Sequence, residues 1–129
     1  LRRNQQSNDY YHAHKHEAWY QVGRHIQHTK DGAKRRELPM ALSNSTIREF
    51  LILPCTYCSS VVTEKNIDPS FNGIDRVIND DGYYDDNVVS CCKECNRMKW
   101  THTLKDFVQI CTNVAINFDR IDRPSTFDF

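Results

Sequence analysis

Four cysteines in two pairs carry the most readable chemistry of this chain. Cys55-Thr56-Tyr57-Cys58 is one C-x2-C turn, and Cys92-Lys93-Glu94-Cys95 is a second, with 33 residues between them. Each tight turn delivers two sulfurs, and two such turns commonly assemble a tetrahedral, all-thiolate site for structural Zn²⁺. Paired spacing of this kind suits metal ligation better than a secreted disulfide framework. An intracellular reducing compartment is therefore expected. Cys91 and Cys111 are left over. Cys91, next to Cys92, is expected to point away from the metal, and Cys111 to pack in the core.

A second constellation consists of hard oxygen donors. Asp75 lies in an alternating run, and Asn96 directly follows the last paired cysteine, 21 residues later. A hairpin folded back on a helix can bring both to one ion. A carboxylate and an amide carbonyl, with water completing the shell, suit Mg²⁺ or Mn²⁺ rather than zinc. Such an ion stabilises charge on a phosphodiester and on its departing 3′ oxygen.

The elements that must position these groups follow from periodicity. Trp19, Val22 and Ile26 predict a helix from about Asp9 to His28, capped by Ser7 or Asn8 and ended by Gly32. A second helix carries Ile47, Phe50 and Leu51 on one face, with Ser43 or Ser45 as its cap and Pro54 as its stop. Gly73 to Ile78 reads as a strand, Asn79-Asp80-Asp81-Gly82 as a turn, and Val88-Val89 as a second strand. A helix begins near Cys95 or Asn96. A last helix opens at Thr103, which forms a capping box with Asp106, and presents Phe107, Ile110, Cys111 and Val114. The tail from Asp119 is polar apart from Phe127 and Phe129.

The expected fold is a small α+β domain: a zinc-knuckled ββα core with N-terminal helices and a C-terminal helix. Residues 1–36 form a basic helical arm, residues 37–118 the zinc-binding domain, and residues 119–129 a tail. Hydrophobic residues make up only 39% of the 129-residue chain, a thin core that a structural metal would reinforce. No run approaches the length of a membrane span.

Formal charge is zero, yet it is unevenly spread. Residues 1–36 hold eight Lys/Arg against three Asp/Glu, and five of the six histidines. Arg24, Lys30, Lys34, Arg35 and Arg36, with Arg97 and Lys99 further on, are candidates to hold a sugar-phosphate backbone, largely without regard to sequence. His12 and His16 share a helix face but lack the Glu of a metalloprotease motif. Trp19 and Trp100 read as core or rim packing.

The residues from Gly73-Ile74-Asp75-Arg76 through Gly82-Tyr83 and Asn87-Val88-Val89 to Cys91-Cys92-x-x-Cys95-Asn96-x-x-Lys99 resemble the zinc-bearing branch of the HNH (ββα-metal) endonucleases, many of them in phages and large DNA viruses. The resemblance extends from about Lys34 to Val114 and includes Pro54-Cys55-Thr56-Tyr57-Cys58. It implies metal-assisted hydrolysis of DNA phosphodiesters. Cys55, Cys58, Cys92 and Cys95 match the zinc ligands, and Asp75 and Asn96 the ligands of the catalytic ion. Asn87 matches the Asn that fixes the loop opposite the catalytic base, and Lys99 a residue near the bound backbone. Arg76 departs from the pattern. Well-studied members place a general-base His there, and a guanidinium, which stays protonated near neutrality, cannot accept a proton. Either Arg76 grips the scissile phosphate and another base, such as His102 or metal-bound water, serves, or the chain is a non-catalytic nucleic-acid-binding or structural module of a virion or other assembly with partner proteins.

Overall fold

A computed structural model describes residues 2–15, 17–62 and 71–120. Its elements run α1 (Arg2–His14), α2 (Ala18–Arg35), α3 (Asn44–Ile52), β1 (Gly73–Arg76), β2 (Val88–Cys91), α4 (Lys93–Lys99) and α5 (Leu104–Asn117), followed by a short 3-10 turn at Phe118–Arg120. His16, Pro69, Phe127 and Phe129 lie outside the described residues.

The N-terminal region is two helices rather than the single one expected from Asp9 to His28. Glu17 adopts an extended conformation (φ −84°, ψ 126°) at the head of α2, and the Glu17 amide closes a turn on His14 O. Tyr10 of α1 meets Tyr20 of α2 edge-on, with ring centroids 5.8 Å apart. Gly32 does not end α2; it lies inside the helix and is buried. The stop comes at Glu37, whose φ is 55°. The Leu38 amide reaches back to Ala33 O and the Glu37 amide to Lys34 O. This double closure satisfies the last carbonyls without a glycine.

Val22, Ile26 and Ala33 recur on one side of α2. They enter a core shared with Leu42, Ile47, Leu51, Tyr83 and Val88. Ser43 caps α3 by accepting the Thr46 amide at 3.1 Å. Leu53 then leaves the helix in an extended conformation, as the residue before Pro54 must. The loose carbonyls at this end are taken up by Ser90 Oγ, which donates to Phe50 O and Leu53 O, and by Asn72 Nδ2, which donates to Leu53 O at 2.7 Å.

The two strands pair antiparallel with Asp75 opposite Val89 and Gly73 opposite Cys91. β1 is two residues shorter than its alternation predicts. The Val77 amide still bonds to Asn87 O, but the Ile78 amide bonds to the Asn87 side chain instead. A side-chain amide therefore replaces the next rung of the ladder. β2 runs two residues past Val89, and α4 starts at Lys93, ahead of Cys95. Gly82 sits where Met40 and Tyr83 form a parallel bridge. A Cβ there would lie 2.9 Å from Pro39 O, so only glycine fits.

α5 opens as expected, with the Asp106 amide on Thr103 Oγ1 at 3.1 Å. Its apolar face is largely unburied, however. Phe107 is buried and packs edge-on against Tyr57 at 5.6 Å. Ile110 and Val114 are exposed, and Cys111 is half-buried rather than in the core. Trp19 and Trp100 are exposed as well.

Candidate metal centre and active site

The C-terminus of α3 delivers the chain directly into the first cysteine turn. The Ser59 amide closes it on Cys55 O at 2.8 Å, and the Thr56 amide ties it to Ser90 O of β2 at 2.8 Å. This closure forces Ser59 to a φ of 63°. The second turn is the start of α4 itself. Cys92 is its N-cap, with its sulfur accepting the Cys95 amide. The sequence places both turns, but β2 brings them together.

The four sulfurs of Cys55, Cys58, Cys92 and Cys95 all lie within 4.8 Å of one another. Cys58 Sγ and Cys92 Sγ are 3.7 Å apart. Thiolates held at about 2.3 Å from a tetrahedral ion are separated by about 3.8 Å. The cluster is thus shaped for a four-thiolate metal site. Burial pushes the Cys55 thiol up, but backbone N–H donors around it outweigh that push and leave it lowered. Cys58, exposed and hydrogen-bonded by Ser60, falls to about 6. Burial raises Cys95. Cys91 is outside the four-sulfur group, yet it is buried beside it, and burial followed by the Asp75 charge raises its thiol.

Asp75 projects from β1 toward α4 and is buried. Its Oδ2 accepts the Tyr57 hydroxyl at 2.6 Å and the Lys99 ammonium at 3.0 Å. Lys99 departs from the expected backbone-contact role. Its side chain is 0% exposed, and its ammonium also donates to Arg76 O and Asn79 Oδ1, each at 3.0 Å. Three donors meet three acceptors, which is what makes a buried ammonium tolerable. Burial and the bond to Asp75 hold the Tyr57 phenol protonated, its pKa pushed well up.

Asn96 is exposed on the first turn of α4, three residues before Lys99 and hence beside it on the helix surface. Arg76 is half-buried. Its Nη1 donates to Asn79 O and lies 3.5 Å from Asp81 O, and its guanidinium lies over the Tyr83 ring, 5.3 Å from the centroid. The side chain holds the turn instead of reaching outward. Asn87 is buried and fully engaged. Its Nδ2 donates to Ile78 O and Gly82 O, and its Oδ1 accepts the Ile78 amide. His102 is half-buried, and its carbonyl accepts Asn79 Nδ2 at 3.1 Å.

Arg24, Lys34, Arg35 and Arg36 are exposed and Lys30 is half-buried. Arg36 follows the end of α2, and its Nη1 lies 3.5 Å from the hydroxyl of Tyr83. Arg97 is exposed on α4. Sequence reasoning missed the roles of Tyr57 and Asn79. Tyr57 was visible as an aromatic inside a cysteine turn, but nothing along the chain points its hydroxyl at Asp75. Asn79 reads as an ordinary turn residue.

No protein-family profile matches the chain. An uncharacterized protein of Acanthamoeba polyphaga mimivirus is 36% identical over 87 residues, 67% of this chain. The chain spans only 16% of that relative's length. Among solved structures, the rare-cutting HNH restriction endonuclease PacI superposes with a TM-score of 0.57 and 17% identity, covering 78% of this chain and 82% of that one. No helix among the described residues is long and apolar enough to cross a membrane. The hairpin, the helix packed behind it and the flanking helices therefore form a small α+β domain with the ββα core of the HNH fold.

Proposed function

We propose that this chain is an HNH-type endonuclease module that hydrolyses DNA phosphodiester bonds with the help of a divalent metal ion. One observation carries the reading. A buried acid on β1, Asp75, faces the helix whose first turn carries the exposed amide of Asn96, within an HNH fold. Both are hard oxygen donors, and Asn96 is open to water and phosphate, so the pair fits Mg²⁺ or Mn²⁺ in donor chemistry. When bound there, such an ion supplies charge neutralisation at the reacting phosphate and leaving oxygen. The Cys55, Cys58, Cys92 and Cys95 cluster would hold structural Zn²⁺, tying the turn after α3 to the start of α4.

The chain's own residues do the rest. Tyr57 and Lys99 fix the orientation of Asp75, and Asn87 fixes the loop after β1. Arg76 cannot serve as a general base, so the attacking water loses its proton to another group. Loss of a base costs on the order of 10²–10⁴ in rate and does not abolish hydrolysis. The exposed arginines and lysines of α2 and Arg97 hold the DNA backbone, with affinity that falls as salt rises.

The test is plasmid nicking with Mg²⁺ or Mn²⁺, comparing the parent and Asp75→Ala, with zinc content measured in both. Metal-dependent cutting that disappears in the variant supports the reading. A second reading has its own support: Asp75 already has a cationic partner in Lys99, and Arg76 is engaged in the turn. On that reading the chain is a non-catalytic, zinc-stabilised nucleic-acid-binding or structural module of a virion or other assembly. Salt-dependent DNA binding without nicking, in zinc-loaded protein, selects it.

A further inference from the structure

The Lys99 ammonium is an unusual neighbour for an acid proposed to bind a divalent cation. It is fully buried, it shares Asp75 Oδ2 with the Tyr57 hydroxyl, and it is 3.0 Å from that oxygen. It is anchored from two further sides by Arg76 O and Asn79 Oδ1. Asn79 is in turn fastened to Thr101 O and His102 O beyond α4. The ammonium is therefore built into the fold rather than resting on a surface carboxylate. A divalent ion arriving at the same carboxylate would meet a like charge within a few ångströms, in a region poor in water.

We infer that Lys99 is the resident counter-ion of Asp75, and that divalent metal binds there in competition with it, displacing the ammonium from Oδ2. The inference rests on the metal reading of Asp75 given above. It makes Lys99 a positioning residue: in the metal-free protein it keeps the buried acid paired and aimed at α4, and it sets the metal concentration at which the site fills. Asn79 and the Arg76 carbonyl remain as acceptors for the displaced ammonium, so displacement needs a shift of the side-chain tip rather than unfolding.

The experiment is Mn²⁺ binding to the zinc-loaded full chain, read as the fall of the free-Mn²⁺ paramagnetic resonance signal. Lys99→Met, which keeps most of the buried stem, is expected to bind Mn²⁺ on the order of tenfold or more tightly than the parent, because the competing charge is gone. Asp75→Asn is expected to lose binding. Equal or weaker affinity in Lys99→Met, with binding lost in Asp75→Asn, overturns the competition while leaving the metal reading standing. Absence of Mn²⁺ binding in all three overturns the metal reading and the competition with it. Should Lys99→Met fail to fold, the parent protein decides. With lysine labelled at Cε, the Lys99 signal is expected to move saturably on Mg²⁺ addition, and a signal unmoved at saturating Mg²⁺ overturns the inference.

Discussion

Replacing Lys99 by Met tests whether the Asp75–Lys99 pair is a structural keystone of the hairpin–helix junction. Methionine retains most of the aliphatic stem, so the loss is chiefly that of the charge. The Lys99 side chain is 0% exposed and the Asp75 side chain 9%, so removal strands a buried carboxylate whose remaining partner among the described residues is the Tyr57 hydroxyl. It also leaves Arg76 O and Asn79 Oδ1 without the donor they share. Breaking a buried pair by removing one partner typically costs about 3–5 kcal/mol, a large part of the ~5–15 kcal/mol that holds a typical domain folded. Urea denaturation of zinc-loaded protein measures it. Adding Asp75→Asn removes the stranded charge while keeping an oxygen for Tyr57 to bond. The double variant is therefore expected to recover part of the loss, with a coupling of about 1–3 kcal/mol in the cycle. A single-variant cost within about 0.5 kcal/mol, the range of ordinary surface changes, would refute the keystone argument.

Other expectations follow from the same geometry. Ser59→Gly relieves a left-handed backbone forced by the first cysteine turn and is expected to stabilise the zinc-loaded protein by about 0.5–1 kcal/mol, seen as a higher melting temperature. Asn87→Ala takes the acceptor from the Ile78 amide and one of two donors from Ile78 O and Gly82 O, which keep the Asp81 and Tyr84 amides. It is expected to cost about 1–3 kcal/mol in denaturation and to reduce nicking. Zinc loss is expected as pH falls, because the ligands must be thiolates, with far-UV circular dichroism and released-zinc dye changing together. Arg24→Glu with Arg35→Glu is expected to weaken DNA binding and flatten its dependence on salt, measured by fluorescence anisotropy.

Much of the α+β ββα fold is legible because its signals are local. Ser43 and Thr103 announce helix starts through side chains that bond amides three residues on, and Pro54 excludes helix from the residue before it. The break between α1 and α2 is not legible along the chain, because Glu17 adopts its extended conformation with neither glycine nor proline to mark it. The apolar spacing of α5 correctly marked a helix, but helical spacing says nothing about whether a partner covers the face. Among the described residues, most of that face stays exposed.

The candidate site divides in the same way. Residue type and spacing along the chain determine the two cysteine turns and single out Asp75, Asn87 and Asn96, since a C-x2-C turn is local geometry. Contacts made across long stretches of chain decide what those residues meet. Hydrogen bonds from Ser90 of β2 to the end of α3 and to Thr56 bring the two turns together, and helix packing drives the Lys99 ammonium inward to Asp75 instead of outward to phosphate. The fold of the turn draws Arg76 back over Tyr83. The direction of a long charged side chain depends on which acceptors tertiary packing puts within its reach, and neighbours in sequence carry no record of that.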